Sequence, residues 1–248
     1  MSTPTVYLVS GANRGLGLGL VKVLLERPDA IVFAGARNPD SAKELKDLAA
    51  ANPSKLHIVK LVSSDKANND SAGEEIRKVA DHIDVVIANA AIGDCYEGGL
   101  TVPAEEMARH FDINVNGPLV LFQATYELLK ASKNPKFVGI STPAGSITAG
   151  SQFPGGLYTY GSSKAALSWV LRKLHHDFEN IVTFPISPGA VDTDMGALAV
   201  EKEPWLKAIP MSSAEEASRG VLKQIDEATR EKGSGQFLNF DGQTVFPW

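Results

Sequence analysis

The chain has 248 residues, 44% hydrophobic and 21% charged, which fits one large globular domain and excludes disorder or a collagen-like repeat. Its 24 Lys and Arg against 29 Asp and Glu leave a net charge of −5 with no basic tract, so nucleic acid is not an expected partner. The lone Cys95 closes no internal disulfide, the first five residues lack the zones of a signal peptide, and no apolar run approaches the roughly 20 residues of a membrane span, so a cytoplasmic protein that does not enter membranes is expected.

Short runs rich in β-branched residues at 6–10, 31–36, 56–62, 84–88, 137–141, 181–187 and 237–240 alternate with helical patterns. Near-continuous apolar character suits strands covered on both faces, and the helices between them imply parallel pairing. The expectation is a single α/β domain over 1–248, a doubly wound seven-stranded parallel sheet with helices on both faces. Ser41, with Glu44 three positions on, reads as a capping-box-like helix start. Ser213 precedes a helix whose Ala217, Val221 and Ile225 share one face. Residues 143–157, with four Gly and two Pro between a strand and a helix, read as an active-site loop.

The first strand runs into Gly11, Ala12, Asn13, Arg14, Gly15, Leu16 and Gly17, and then into a helix. Glycines suit such a turn because it needs unusual backbone angles and because a side chain would block a pyrophosphate from the helix N-terminus. The spacing of Gly, three residues, Gly, one residue, Gly departs from Gly-x-Gly-x-x-Gly but sits in the same strand–turn–helix context. The second strand ends in Gly35, Ala36, Arg37 and Asn38, without the carboxylate that would take a ribose 2′-hydroxyl. Arg37 and Arg14 suit a 2′-phosphate instead, which points to NADP(H).

Tyr160 and Lys164 open a long helical run, and a spacing of four places phenol and ammonium on one face, where the cation favours phenolate. A Tyr titrates near 10, so acid–base work near neutrality asks for a shift of about 2 to 3 units. The fifth strand ends in Ser141 and Thr142, hydroxyls where doubly wound sheets bind ligands. Either one suits the orientation of a carbonyl. His175 and His176 lie beyond the catalytic turn without a ligand pattern, so no metal site is expected, and Cys95 lacks a base partner. Val115, Leu119, Leu121 and Phe122 read as core or interface.

Taken in order, the glycines from Gly11 to Gly17, Asn89-Ala90-Ala91, Asn114, Ser141-Thr142, Tyr160 with Lys164, and Pro188, Gly189, Ala190, Val191, Asp192 and Thr193 resemble the short-chain dehydrogenase/reductase family along essentially the whole chain. The details are similar to sniffer-type carbonyl reductases and fungal norsolorinic acid ketoreductases. The resemblance implies a Rossmann fold and an NADPH-dependent reductase of a bulky, aromatic or apolar ketone, of polyketide or quinone type. It makes Tyr160 the proton donor, Lys164 the group that tunes it and holds the nicotinamide ribose, and Asn114 the holder of a relay water. Gly11, Asn13, Arg14, Gly15, Leu16, Gly17, Arg37, Asn89, Ala90, Pro188, Gly189, Val191 and Thr193 would contact the cofactor. A homodimer or homotetramer is also implied. Residues 190–212, with Trp205, Leu206 and Ile209, read as a substrate lid, and Phe153 and Leu157 extend the apolar pocket under it. The alternatives are a dinucleotide-binding regulator without turnover, motivated by Thr142 in place of the family's second Ser and by Ala91 in place of its Gly, and an epimerase or dehydratase.

Overall fold

A computed structural model describes residues 4–248. Its sheet contains β1 (Thr5–Ser10), β2 (Ala30–Ala36), β3 (Leu56–Lys60), β4 (Val85–Ala88), β5 (Lys136–Ile140), β6 (Val182–Ser187), β7 (Phe237–Asn239) and β8 (Val245–Phe246). The spatial order is β3-β2-β1-β4-β5-β6-β7-β8. The first seven strands pair in parallel, as expected, and the strand count is corrected by β8, which returns antiparallel to β7. Two residues with exposed or half-buried side chains form that strand, too short a run to leave an alternating signature.

Among the described residues eight α-helices join these strands: α1 (Gly15–Leu25), α2 (Lys43–Ala51), α3 (Lys66–Arg77), α4 (Ala104–Phe111), α5 (Gly117–Lys130), α6 (Tyr158–Asp177), α7 (Asp194–Lys202) and α8 (Ala214–Glu227). Successive side chains of a strand point to opposite faces, and β1 shows the consequence. Tyr7 and Val9 pack with Leu20 and Leu24 of α1 and with Val221 and Ile225 of α8. Val6 and Leu8 pack on the other face with Ile76 of α3, Leu128 of α5, and Leu167 and Leu171 of α6. Both faces are apolar, so the strand reads as continuous rather than alternating.

The two expected helix starts divide. Ser213 caps α8 by accepting a bond from Glu216 N at 3.1 Å, and Ala217, Val221 and Ile225 are all fully buried. Ser41 does not cap α2; it ends a 3₁₀ turn (Pro39–Ser41) and donates to Asn38 O, and α2 starts two residues later. Pro39 presets the turn that precedes the helix. The loop after β5 likewise holds two 3₁₀ turns, Pro143–Gly145 and Gly150–Gln152.

The Phe137 ring lies edge-on to Phe122 at 5.1 Å and is completely buried. Phe137→Ala is expected to cost about 3 to 5 kcal/mol, read as a lower urea midpoint with an unchanged denaturant slope.

Candidate active site

The strand order reverses between β1 and β4, and the crevice opens where their neighbours diverge. There the glycine turn is built to exclude side chains. Gly11 has a φ of +64°, and a Cβ on it would stand 2.8 Å from Ala90 Cα. A Cβ on Gly17 would meet Gly11 O at 2.2 Å and Asn89 Nδ2 at 2.6 Å. Asn89 braces the turn by donating to Ser10 O at 2.9 Å and Gly11 O at 3.2 Å. Ser10 Oγ accepts from the amides of Asn89 and Ala90 at 2.9 and 3.0 Å. Arg14 takes the N-cap position of α1 in extended conformation with no capping side chain, which leaves the first helix amides pointing at the turn. Asn13 and Arg14 are exposed, Leu16 is half-buried, and Arg37 stands exposed just past β2, with no ion pair among the described residues. Arg14 Nη1 reaches Asp194 Oδ2 at 3.2 Å, a bond between the glycine turn and α7.

Tyr160 and Lys164 lie in the first turns of α6, with Lys164 Nζ 5.7 Å from the Tyr160 ring centroid. Lys164 is 2% exposed, and its Nζ donates to Ile140 O, the last residue of β5, at 2.7 Å. Burial alone pulls its ammonium down to about 7. Removal from water pushes the Tyr160 phenol well above its usual value, with neighbouring Tyr96 adding to the shift. Gly93 backs the Tyr160 ring, since a Cβ there would stand 3.0 Å from Tyr160 Cδ2. Tyr96 donates to Gly93 O at 2.9 Å, and Thr159 donates to Cys95 O at 3.0 Å, so residues 93–96 are stitched to the start of α6.

Ser141 and Thr142 face different surroundings. The Ser141 hydroxyl is 2% exposed and lies 3.0 Å from Ser168 Oγ on α6. Thr142 is half-buried, and its Oγ1 accepts from Ala144 N at 3.3 Å, which leaves its own hydroxyl proton available. Asn114 lies in a π-helical turn (Asp112–Asn116) and is fully buried. Its Oδ1 accepts from Ile92 N, and its Nδ2 donates to Ile92 O and Ser163 Oγ, at 2.9, 2.9 and 3.0 Å. The side chain thus ties the loop after β4 to α6.

Pro188 and Val191 are buried after β6, Gly189 adopts a φ of +74°, and Thr193 accepts from Gly196 N at 3.2 Å to cap α7. Val191 bridges Ser212, closing the base of the expected lid. Phe153 and Trp205 meet with ring centroids 5.6 Å apart.

Three residues around this site escape sequence reasoning: Tyr96, Ser163 and Glu203. Each has at least one contact 47 or more positions away that no local pattern announces, except that the pair Gly155-Gly156 signals close approach at the Glu203 contact. Asp94, Glu106 and His110 also bring ligand atoms within 4.8 Å of one another. Arg109 Nη2 already lies 2.5 Å from Asp94 Oδ1 and 2.6 Å from Glu106 Oε2, and its guanidinium holds the Asp94 carboxyl below its usual range. A cation therefore fills that cluster.

The profile of the short chain dehydrogenase family matches residues 5–204. The norsolorinic acid ketoreductase of Dothistroma septosporum is 40% identical over 253 residues, covering 100% of this chain and 94% of that one. Its counterpart in Emericella nidulans is 38% identical and covers 98% of this chain and 94% of its own. The carbonyl reductase Sniffer of D. melanogaster superposes with a TM-score of 0.87 at 29% identity, each chain covered in full. The NADPH-bound carbonyl reductase from chicken fatty liver does so with a TM-score of 0.86, also at 29% identity and full coverage. With the profile matching four-fifths of its length and relatives aligned end to end, this chain is an oxidoreductase belonging to the short-chain dehydrogenase family.

Proposed function

We propose that the protein is an NADPH-dependent ketoreductase that reduces a bulky aromatic or apolar ketone, of polyketide or quinone type. The observation that carries this reading is the buried ammonium of Lys164 beside the Tyr160 ring, with an uncommitted Thr142 hydroxyl on the loop that follows the same strand end. The glycine turn fits a dinucleotide, because its close approaches leave no room for side chains and its helix amides face an incoming pyrophosphate. Gly11, Asn13, Gly15, Leu16 and Gly17 would hold the pyrophosphate side, Arg14 and Arg37 a 2′-phosphate, and Pro188, Gly189, Val191 and Thr193 the nicotinamide end. NADPH supplies the hydride that a carbonyl carbon receives.

The residues of the chain supply the rest. Thr142 donates its hydroxyl proton to the carbonyl oxygen and orients it. Tyr160, kept protonated by burial, gives its proton to the same oxygen as negative charge develops. Lys164, when charged, stabilises the phenolate left behind and so makes Tyr160 a stronger acid. Asn114 holds the loop at Ile92 in register with α6, which keeps the Tyr160 ring in place. Phe153 and Trp205, whose rings meet at a tilt, would offer an aromatic wall to a planar substrate. NADPH mixed with a panel of quinones, aromatic ketones and aldehydes tests the reading through loss of the reduced-nicotinamide absorbance. Tight NADPH binding with no turnover on any carbonyl would establish the regulator instead.

Cofactor choice is a separate expectation. Arg37→Ala is expected to weaken NADPH binding by about 1 to 3 kcal/mol and to leave NADH nearly unchanged, because only NADPH loses a charged partner. Titration calorimetry with both cofactors checks it, and equal losses would remove Arg37 from the 2′-phosphate site.

A further inference from the structure

The lid is anchored in an unusual way for an apolar pocket cover. Neither α7 nor the 3₁₀ turn that follows it (Pro204–Ala208) contains a buried residue. Between them Glu203 is only 6% exposed, so the one buried side chain along residues 194–208 is a carboxylate. It forms no ion pair among the described residues. A buried carboxylate without a cation is costly and persists where hydrogen bonds hold it. Glu203 Oε1 accepts from Gly156 N at 2.5 Å, and Oε2 accepts from Trp205 Nε1 at 3.1 Å.

The receiving side is built around that carboxylate. Gly155 has a φ of +95°, and a Cβ on it would stand 1.9 Å from Glu203 Oε2. A Cβ on Gly156 would stand 1.8 Å from Tyr96 O. Three segments therefore converge where two residues carry no side chain: the lid, the turn before α6 and the loop at Tyr96. The same loop backs the Tyr160 ring through Gly93, and Gly156 lies two residues ahead of α6. The negative charge of Glu203 also reaches Tyr96, whose phenol is pushed up to about 12 chiefly by burial, with Asp94 and Glu203 adding to it.

We propose that Glu203 is a positioning residue for catalysis: it latches residues 194–208 onto Gly156 and, through Trp205, sets the aromatic wall that holds a bulky ketone against Tyr160. A segment with no buried apolar side chain has little other local stability, so the bond from Gly156 N to Glu203, which crosses from the segment to the turn before α6, decides whether it stays closed, while the bond to Trp205 orders the segment internally. This deepens the ketoreductase reading and rests on it for its effect on substrate, while the latch itself is a property of the protein alone.

The experiment has two readouts on Glu203→Ala, Glu203→Gln and, as a control, Glu201→Gln at an exposed neighbouring position. Hydrogen exchange read by mass spectrometry is expected to speed up at least about tenfold in the peptide spanning 194–208 for Glu203→Ala, the loss expected when a charge-assisted bond is removed. Glu203→Gln keeps an oxygen for Gly156 N–H and should recover part of the protection; Glu201→Gln should match wild type. In turnover with NADPH, KM for a bulky aromatic ketone should rise by more than kcat falls, with the cofactor dissociation constant unchanged. Unaltered exchange at 194–208 in both Glu203 variants overturns the latch, whatever the activity. Faster exchange with kcat, kcat/KM and cofactor affinity all lowered in step would mean a structural brace and overturns the positioning role. If Glu203→Ala does not fold, Glu203→Gln carries both readouts, and if wild type reduces no carbonyl, the exchange result still decides the latch while the ketoreductase reading alone fails.

Discussion

Tyr160→Phe is expected to slow reduction of an accepted ketone by about 100-fold to 10,000-fold while NADPH affinity survives, because the variant keeps the ring and loses only the proton it donates. The ring packs against Gly93 and beside Lys164, and Phe preserves both contacts. The pH dependence follows from the two groups. Burial raises the Tyr160 phenol, so it is protonated throughout the neutral range, and the limb belongs to Lys164, which burial lowers to about 7. Reduction needs the ammonium, so the rate should be steady at low pH and fall as pH rises through the Lys164 limb, which lies at about 7 in the protein alone. A bound dinucleotide carries negative phosphates and moves this limb upward, since they favour the charged lysine. Lys164→Ala should damage both cofactor affinity and turnover, and Lys164→Arg should restore them only in part, because a planar fork does not replace a compact charge. Stopped-flow measurement of hydride transfer across pH checks the set. A Tyr160→Phe enzyme with near wild-type rate would remove Tyr160 as the acid.

Thr142→Ala is expected to cost about 100-fold or more in turnover, the usual effect of deleting one donor to a developing oxyanion. Ser141→Ala should cost only a few-fold. The contrast comes from where the hydroxyls sit: Ser141 is buried against Ser168 Oγ, whereas Thr142 gives up one lone pair to Ala144 N and retains its proton. Ser141→Ala has a different signature, about 1 to 3 kcal/mol of stability from leaving the Ser168 hydroxyl without its partner. Parallel measurement of turnover and urea midpoints separates the two. If Ser141→Ala is the slower enzyme, Ser141 orients the carbonyl and the assignment moves by one residue.

The sequence by itself determined what depends on near neighbours. Strand positions were legible because residues such as Tyr7 and Leu8 are apolar on both faces of a covered sheet, and helical spacing places Ala217, Val221 and Ile225 on one buried face. Family membership was legible for the same reason: Gly11, Gly17, Tyr160 and Lys164 act at short, fixed spacings that a chain carries visibly. Local signals misled where a competing local one prevailed, as at Ser41, where Pro39 imposed a 3₁₀ turn and displaced the start of α2. Tertiary structure alone decided the rest. Ser141 and Thr142 are adjacent and chemically alike, and only the packing of α6 against β5 turns one hydroxyl toward Ser168 and leaves the other available. Glu203 stands in a mixed-charge stretch with Glu201 and Lys202 and reads as a solvated charge, yet the fold brings Gly156, 47 residues away, to its carboxylate. Periodicity and spacing report the free energy of one element against a generic core, whereas a buried hydrogen bond depends on which two distant backbones meet, and that is settled only when the whole sheet and its helices have packed.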